Sequence, residues 1–92
     1  MKMKTNFKEP IPLSRLEAGQ RGRVCEPSAG EQIPLRLQDL GFVPGTWLEI
    51  RRRAPLGDPV EIELRGYRLC LRTAQLDSVC VEVEAGAEVT TG

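Results

Sequence analysis

The chain has no histidine, few aromatic residues and no net charge. Without histidine it lacks the commonest general base and metal ligand, and any Ser-His or Cys-His nucleophile pair. Thirteen basic residues balance thirteen acidic ones, so a charge-driven partner would need a local patch. The four aromatic residues lack the spacing that base stacking requires. We therefore expect a protein that is not an enzyme, has no cofactor and binds no nucleic acid.

Long apolar runs and cysteine clusters are also missing. No uninterrupted apolar run exceeds three residues, and the basic N-terminus is not followed by an apolar segment. These patterns argue against a transmembrane helix and a signal peptide, so we expect a cytoplasmic protein without direct membrane insertion. Cys25, Cys70 and Cys80 form no CxxC pair, which predicts neither a disulfide framework nor a metal site.

The length of 92 residues suits one domain with a modest core. Residues 1–10 are predicted to be a flexible N-terminal arm. Residues 85–92 are small and polar and are predicted to be a flexible C-terminal tail. The folded domain is therefore expected to span residues 11–84.

A helix, a tight turn and a strand are predicted in succession near the middle of the chain. Apolar residues at helical spacing predict a helix over residues 33–40. Gly41 follows where a helix end favours a residue that tolerates positive φ. Pro44 and Gly45 then suit the two central positions of a turn. The composition of residues 47–53 predicts a strand that points Leu48 and Ile50 to one side.

The strongest local pattern predicts a β-hairpin. Residues 60–64 and 67–71 alternate in polarity on either side of Arg65-Gly66. A two-residue turn there pairs Ile62 with Leu69 on one face and Glu63 with Arg68 on the other. Both faces agree with one register, so these two segments are expected to pair along their whole length.

Two further strands and a helical turn complete the prediction. Residues 21–26 form the first predicted strand, residues 73–76 a single helical turn, and residues 79–84 the last strand, with its valines facing inward. Five short strands with one short α-helix indicate a mainly β protein, built as a small and strongly bent β-barrel.

Two motifs closely resemble the FeoA family of bacterial ferrous-iron transport. They are Leu37-x-Asp39-Leu40-Gly41-Phe42-x-Pro44-Gly45-Thr46 and Ala54-Pro55-Leu56-Gly57-Asp58-Pro59, followed by Leu71-Arg72 before a valine-rich strand. The resemblance covers residues 11 to 84, and Pro34 and Gln75 are its small departures. It implies an SH3-like barrel of about five strands with one short α-helix.

The resemblance also implies a partner. FeoA proteins assist FeoB, a membrane ferrous-iron transporter with a cytosolic GTPase region, so this chain is expected to bind that region without catalysing a reaction. An alternative is a regulatory module, because some iron-dependent repressors carry a similar domain after a DNA-binding domain. A weak homo-oligomer is left open.

The candidate partner-binding residues lie in the two motifs: Phe42, Pro44, Pro55, Leu56, Gly57, Asp58 and Pro59. An apolar residue between prolines, on a loop that cannot pair as a strand, is expected to be presented to a partner at low entropic cost. The same loop could be no more than a rigid connection. Phe42 suits either the core or a presented position.

Two further patterns have alternatives. The basic run Arg51-Arg52-Arg53 suits a solvated face or an acidic partner, and alternation places Arg51 and Arg53 opposite Leu48 and Ile50. Cys70 and Cys80 would approach each other if their strands were adjacent. Two sulfur atoms make an incomplete metal site, so we expect inert thiols.

Overall fold

The protein is mainly β. The computed structural model describes residues 10–84. Its strands are β1 (Ile11–Pro12), β2 (Arg21–Val24), β3 (Trp47–Arg53), β4 (Val60–Leu64), β5 (Tyr67–Leu71) and β6 (Cys80–Val83). Two short helices, α1 (Leu35–Leu40) and α2 (Thr73–Leu76), and a 3₁₀ turn (Leu13–Arg15) connect them. The strands form one antiparallel sheet in the order β1-β6-β2-β3-β4-β5.

The described residues contain one strand more than the sequence predicts. β1 pairs Ile11 with Val81 and Pro12 with Cys80. Because it is only two residues long, it shows no alternation from which a strand could be inferred. The main helix is also shorter than predicted, because Pro34 has an extended ψ of 139° and serves as its N-cap. Ile33 precedes the helix but is still buried.

The predicted β4–β5 hairpin is confirmed residue for residue. Ile62 faces Leu69 and Glu63 faces Arg68. Arg65 and Gly66 both have positive φ, at 52° and 85°, which is the geometry of a type I′ turn. The twist of that turn matches the twist of the strands, and so the predicted register holds.

One apolar core packs against one side of the sheet. The buried residues are Leu13, Leu16, Val24, Ile33, Leu37, Phe42, Leu48, Ile50, Val60, Ile62, Leu64, Leu76, Val79, Val81 and Val83. The predicted inward sets of β3, β4 and β6 are all among them. α1 has only six residues and is therefore held by packing rather than by its own propensity.

A β-bulge in β3 overturns the predicted position of Arg53. The register shifts between Ile50 and Arg52, so that Arg52 faces Glu61 and Arg53 faces the buried Val60. The extra residue reverses the alternation beyond it. The guanidinium of Arg53 therefore turns to the inner side at the end of the strand, and the three arginines do not form one solvated face.

Ion pairs cover the side of the sheet opposite the core, which we call the outer sheet face. They are Arg21–Glu84 (2.7 Å), Arg23–Glu82 (2.8 Å), Arg51–Glu49 (3.4 Å), Arg51–Glu63 (3.6 Å), Arg52–Glu61 (3.5 Å), Arg68–Glu61 (3.4 Å) and Arg68–Glu63 (3.7 Å). Acidic and basic side chains thus face each other across neighbouring strands.

The predicted arm and tail lie outside the described residues, apart from the exposed Pro10. Within residues 10–84, neither helix is long and apolar enough to cross a membrane.

Candidate functional site

The loop that joins β3 to β4, residues 54–59, presents the most exposed large apolar side chain among the described residues. Leu56 is 97% exposed. Trp47 and Tyr67 are also exposed, but the guanidinium of Arg21 lies 4.8 Å from the Trp47 ring centroid and the Tyr67 hydroxyl donates to the carbonyl of Leu40. A leucine so fully exposed to water is a candidate contact residue.

Hydrogen bonds within the β3–β4 loop fix its shape. The Gly57 N–H donates to the Ala54 carbonyl at 2.8 Å, and the Ala54 N–H donates to the Pro59 carbonyl at 3.1 Å. Gly57 has φ 94°, which a side chain would strain. Pro55 and Pro59 have fixed φ angles. Leu56 therefore stands on a rigid support rather than on a mobile loop.

A second set of hydrogen bonds joins the loop to the start of α2. The Asp58 carboxylate accepts the Thr73 N–H at 2.6 Å and also the Thr73 hydroxyl. That hydroxyl lies 3.1 Å from the Gly57 carbonyl. The hydrogen bonds from the Thr73 side chain and backbone lower the pKa of Asp58, and the charges of Arg72 and Arg53 lower it further. Asp58 is thus a structural anion that is already engaged.

Arg53 joins the same loop to the 3₁₀ turn. Its Nη2 donates to the carbonyls of Ser14 at 2.5 Å and Leu16 at 2.6 Å, and its Nε donates to Leu16 at 3.1 Å. Its Nη1 reaches the Gly57 carbonyl at 3.4 Å. One half-buried guanidinium therefore connects two segments that lie far apart in the sequence.

The structure separates the predicted contact residues into two groups. Pro55, Leu56, Asp58 and Pro59 are exposed and Gly57 is half-buried in the β3–β4 loop.

Phe42 and Pro44 do not join this group. Phe42 is fully buried in the core, so the expectation that it lies at the contact surface beside Leu56 is corrected: its ring packs inward. Pro44 is exposed, but it precedes β3 whereas Leu56 follows it. A seven-residue strand spans roughly 20 Å, and so these two residues belong to different surfaces.

Sequence reasoning missed Arg53 and Thr73 as parts of this site. Thr73 was expected only at the start of a helical turn, and Arg53 only as a surface charge. Their role depends on residues far away in the chain, since the bonds of Arg53 reach back to Ser14 and Leu16. No local spacing signals such contacts.

The strands of Cys70 and Cys80 are not adjacent in the sheet, and Cys80 lies beside Cys25 instead. Cys70 is exposed on β5, whereas the Cys25 N–H donates to the Cys80 carbonyl at 2.9 Å. Burial raises the pKa of Cys25 to about 12, helped by a hydrogen bond and charge interaction with Cys80. The raised pKa favours the protonated form of the Cys25 thiol in this structure. Within residues 10–84, no three Cys, Asp or Glu side chains gather in a metal-binding arrangement.

Comparison with known proteins gives a consistent family. Residues 11–83 match the FeoA domain family. The FeoA-like protein from Clostridium acetobutylicum is 33% identical, with 83% of this chain and 88% of that chain covered and a TM-score of 0.73. The FeoA protein from Chlorobium tepidum is 39% identical, with coverage of 83% and 72% and a TM-score of 0.69.

A third structure supports the fold assignment. Stenotrophomonas maltophilia FeoA, solved in complex with zinc and described as a procaryotic SH3 domain protein, is 29% identical. The match covers 75% of this chain and 86% of that chain, with a TM-score of 0.60. The predicted SH3-like fold is thereby confirmed, with the sheet left open between β1 and β5.

Proposed function

Because the chain belongs to the FeoA family, we propose that it is a non-catalytic accessory protein of bacterial ferrous iron uptake. It acts in the cytoplasm and binds the cytosolic GTPase region of a FeoB-type membrane transporter through the β3–β4 loop. The observation that carries this proposal is the exposure of Leu56, which is 97% exposed on a loop whose backbone is held by hydrogen bonds.

The physical basis of the proposal is the low ordering cost of this loop. A contact residue loses less free energy on binding when its backbone is already fixed. Leu56 is supported by the 54–57 turn, by Asp58 and Thr73, and by Arg53. A rigid apolar projection of this kind suits an apolar pocket on another protein.

The loop is proposed to bind rather than to catalyse. Asp58 is its only ionisable side chain, and Thr73 already donates two hydrogen bonds to it. These hydrogen bonds lower the pKa of the Asp58 carboxyl group, and a carboxylate with a lowered pKa is a weaker general base. Binding is therefore the function that the chemistry of this loop supports.

The test is Leu56→Ala, compared with Leu35→Ala. Leu35 is 67% exposed on α1, so both changes remove the same atoms from exposed positions on different elements. We expect Leu56→Ala to weaken binding to the transporter's GTPase region by about 1–2 kcal/mol, since apolar contact residues commonly contribute this much. Titration calorimetry measures the affinity of each variant. Thermal melts measure their Tm, which we expect Leu56→Ala to leave unchanged.

The control variant defines the contradicting outcomes. Leu35→Ala is expected to bind as the unmodified protein does. Equal binding by Leu56→Ala and the unmodified protein would remove the loop from the interface. If the unmodified protein does not bind the GTPase region at all, the transporter proposal fails and the regulatory-module alternative takes its place.

A further inference from the structure

Two exposed arginines beside the β3–β4 loop have no carboxylate within 4 Å among residues 10–84. They are Arg15 and Arg72. By contrast, all five arginines of the outer sheet face have a glutamate within 4 Å. Neither guanidinium forms an ion pair with a described residue, so each is able to donate charge-assisted hydrogen bonds to a carboxylate of a partner.

The backbone contacts place both arginines next to the loop. Arg72 directly precedes Thr73, whose N–H donates to Asp58 at 2.6 Å. Arg15 lies between Ser14 and Leu16, the two residues whose carbonyls bind the guanidinium of Arg53.

Arg53 completes the connection between Arg15 and the loop, because its Nη1 atom reaches the carbonyl of Gly57, the residue after Leu56. The carboxylate of the loop is engaged by Thr73. The charge of Arg72 acts on Asp58, but the two charged groups do not approach within 4 Å of each other.

We infer that Leu56 enters an apolar pocket on a protein partner, and that carboxylates on the rim of this pocket bind Arg15 and Arg72. This inference rests on the proposed function and adds the chemistry of the surface that the loop recognises. An apolar centre with a charged rim is the usual organisation of a protein interface. The charged rim sets the association rate and its salt dependence.

An anionic membrane is the other surface that could attract a leucine flanked by arginines. A single leucine buries too little apolar surface to anchor a protein on a membrane, since even a whole myristoyl chain binds membranes only marginally. The β3–β4 loop exposes one leucine, and its rigid turn limits the depth of insertion. The observations therefore favour a protein pocket.

The experiment measures binding of the full-length chain to the GTPase region of the FeoB-type transporter between 50 and 300 mM NaCl. The test variant is Arg15→Ala combined with Arg72→Ala. Arg23→Ala is the matched single-charge control, since Arg23 forms an ion pair with Glu82. Arg23 lies opposite Trp47, at the end of β3 that is away from the loop. Arg15→Ala and Arg72→Ala are also measured singly.

We expect the double variant to bind about tenfold more weakly at 50 mM NaCl, mainly through a lower association rate. Its affinity should also change less with salt than that of the unmodified protein. Arg23→Ala should keep both the affinity and the salt dependence. Arg15→Ala and Arg72→Ala should each bind about threefold more weakly than the unmodified protein, an effect between those of Arg23→Ala and the double variant.

The outcomes separate the two proposals. If Leu56→Ala weakens binding but the double variant behaves like Arg23→Ala, the inference of carboxylates on the pocket rim is wrong and the proposed function stands. If the unmodified protein does not bind the GTPase region, both fail. Leu56-dependent binding to vesicles of phosphatidylserine and phosphatidylcholine, stronger than binding to the GTPase region, would overturn the protein pocket in favour of a membrane.

Discussion

The outer sheet face and the β3–β4 loop are both exposed, yet they satisfy their polar groups in opposite ways. On the outer sheet face, charged side chains pair with one another across the strands. In the loop, the polar groups bond back to the protein, through Asp58 to Thr73 and through Gly57 to Arg53, while Leu56 is left in water. The polar groups of the outer sheet face and of the loop itself are thus bonded within the protein, whereas the side chain of Leu56 is left exposed.

The largest expected effect compares the core under the sheet with the loop. Ile62 is fully buried and Leu56 is 97% exposed. Ile62→Ala should lower the free energy of unfolding by about 2–5 kcal/mol, because it leaves a cavity in the core. Leu56→Ala should change it by less than about 0.5 kcal/mol. Urea denaturation of the two variants measures both values.

A stability loss in Leu56→Ala as large as that in Ile62→Ala would break the comparison. Leu56 would then be part of the fold, and any loss of binding would follow from unfolding. An unchanged stability in Ile62→Ala would instead contradict the burial of the Ile62 side chain in the core.

The second prediction compares Arg53, which binds the β3–β4 loop, with Arg52, which lies on the outer sheet face. Arg53→Ala leaves the carbonyls of Ser14 and Leu16 without their donor, so it should cost about 1–3 kcal/mol of unfolding free energy. Arg52 has a side chain that is 80% exposed and an ion pair to Glu61 at 3.5 Å. Arg52→Ala should therefore cost less than about 1 kcal/mol.

Salt gives a further check on this pair. The small effect of Arg52→Ala should disappear at 1 M NaCl, where exposed charges are screened. The effect of Arg53→Ala should persist, because it comes from unsatisfied carbonyls rather than from charge pairing. Equal effects of the two variants at low and high salt would show that Arg53 does not hold the loop.

The hairpin and the loop differ in how much of each could be predicted from sequence. The β4–β5 register follows from alternation and from a turn of two residues, Arg65 and Gly66, that fixes it locally. The exposure of Leu56 also follows from local signals, since prolines on either side prevent strand pairing. Information within about ten residues was sufficient for both.

The remaining contacts depend on long-range geometry. The bulge after Ile50 reverses the alternation and moves Arg53 inward. The order of strands places Cys80, rather than Cys70, beside Cys25. Phe42 follows Gly41, the residue at which α1 ends. The local sequence is compatible with a Phe42 side chain that points into the core or into solvent. None of these outcomes has a local signature.

The smallest expected effect concerns the acid sensitivity of the loop. The pKa of Asp58 in the folded state is below its ordinary value because Thr73 donates hydrogen bonds to the carboxylate. The stabilisation is therefore fully present above the ordinary aspartate pKa of about 4 and is lost as the pH falls through the folded pKa. Asp58→Asn should be less stable than the unmodified protein at pH 7, and this difference should shrink as the pH is lowered below about 4.

Asp39→Asn is the matched control, since Asp39 is exposed on α1 and its side chain makes no hydrogen bond or ion pair within residues 10–84. Thermal melts from pH 7 to pH 2.5 compare the three proteins. The stability gap between Asp58→Asn and the unmodified protein should close in acid, whereas Asp39→Asn should show no comparable gap at pH 7. A gap for Asp58→Asn that stays constant across the range would mean that the Asp58 carboxylate does not act as a charged acceptor for Thr73. The loop would then owe its rigidity to Arg53 and the 54–57 turn alone, and the contrast with the charge-paired outer sheet face would rest on Leu56.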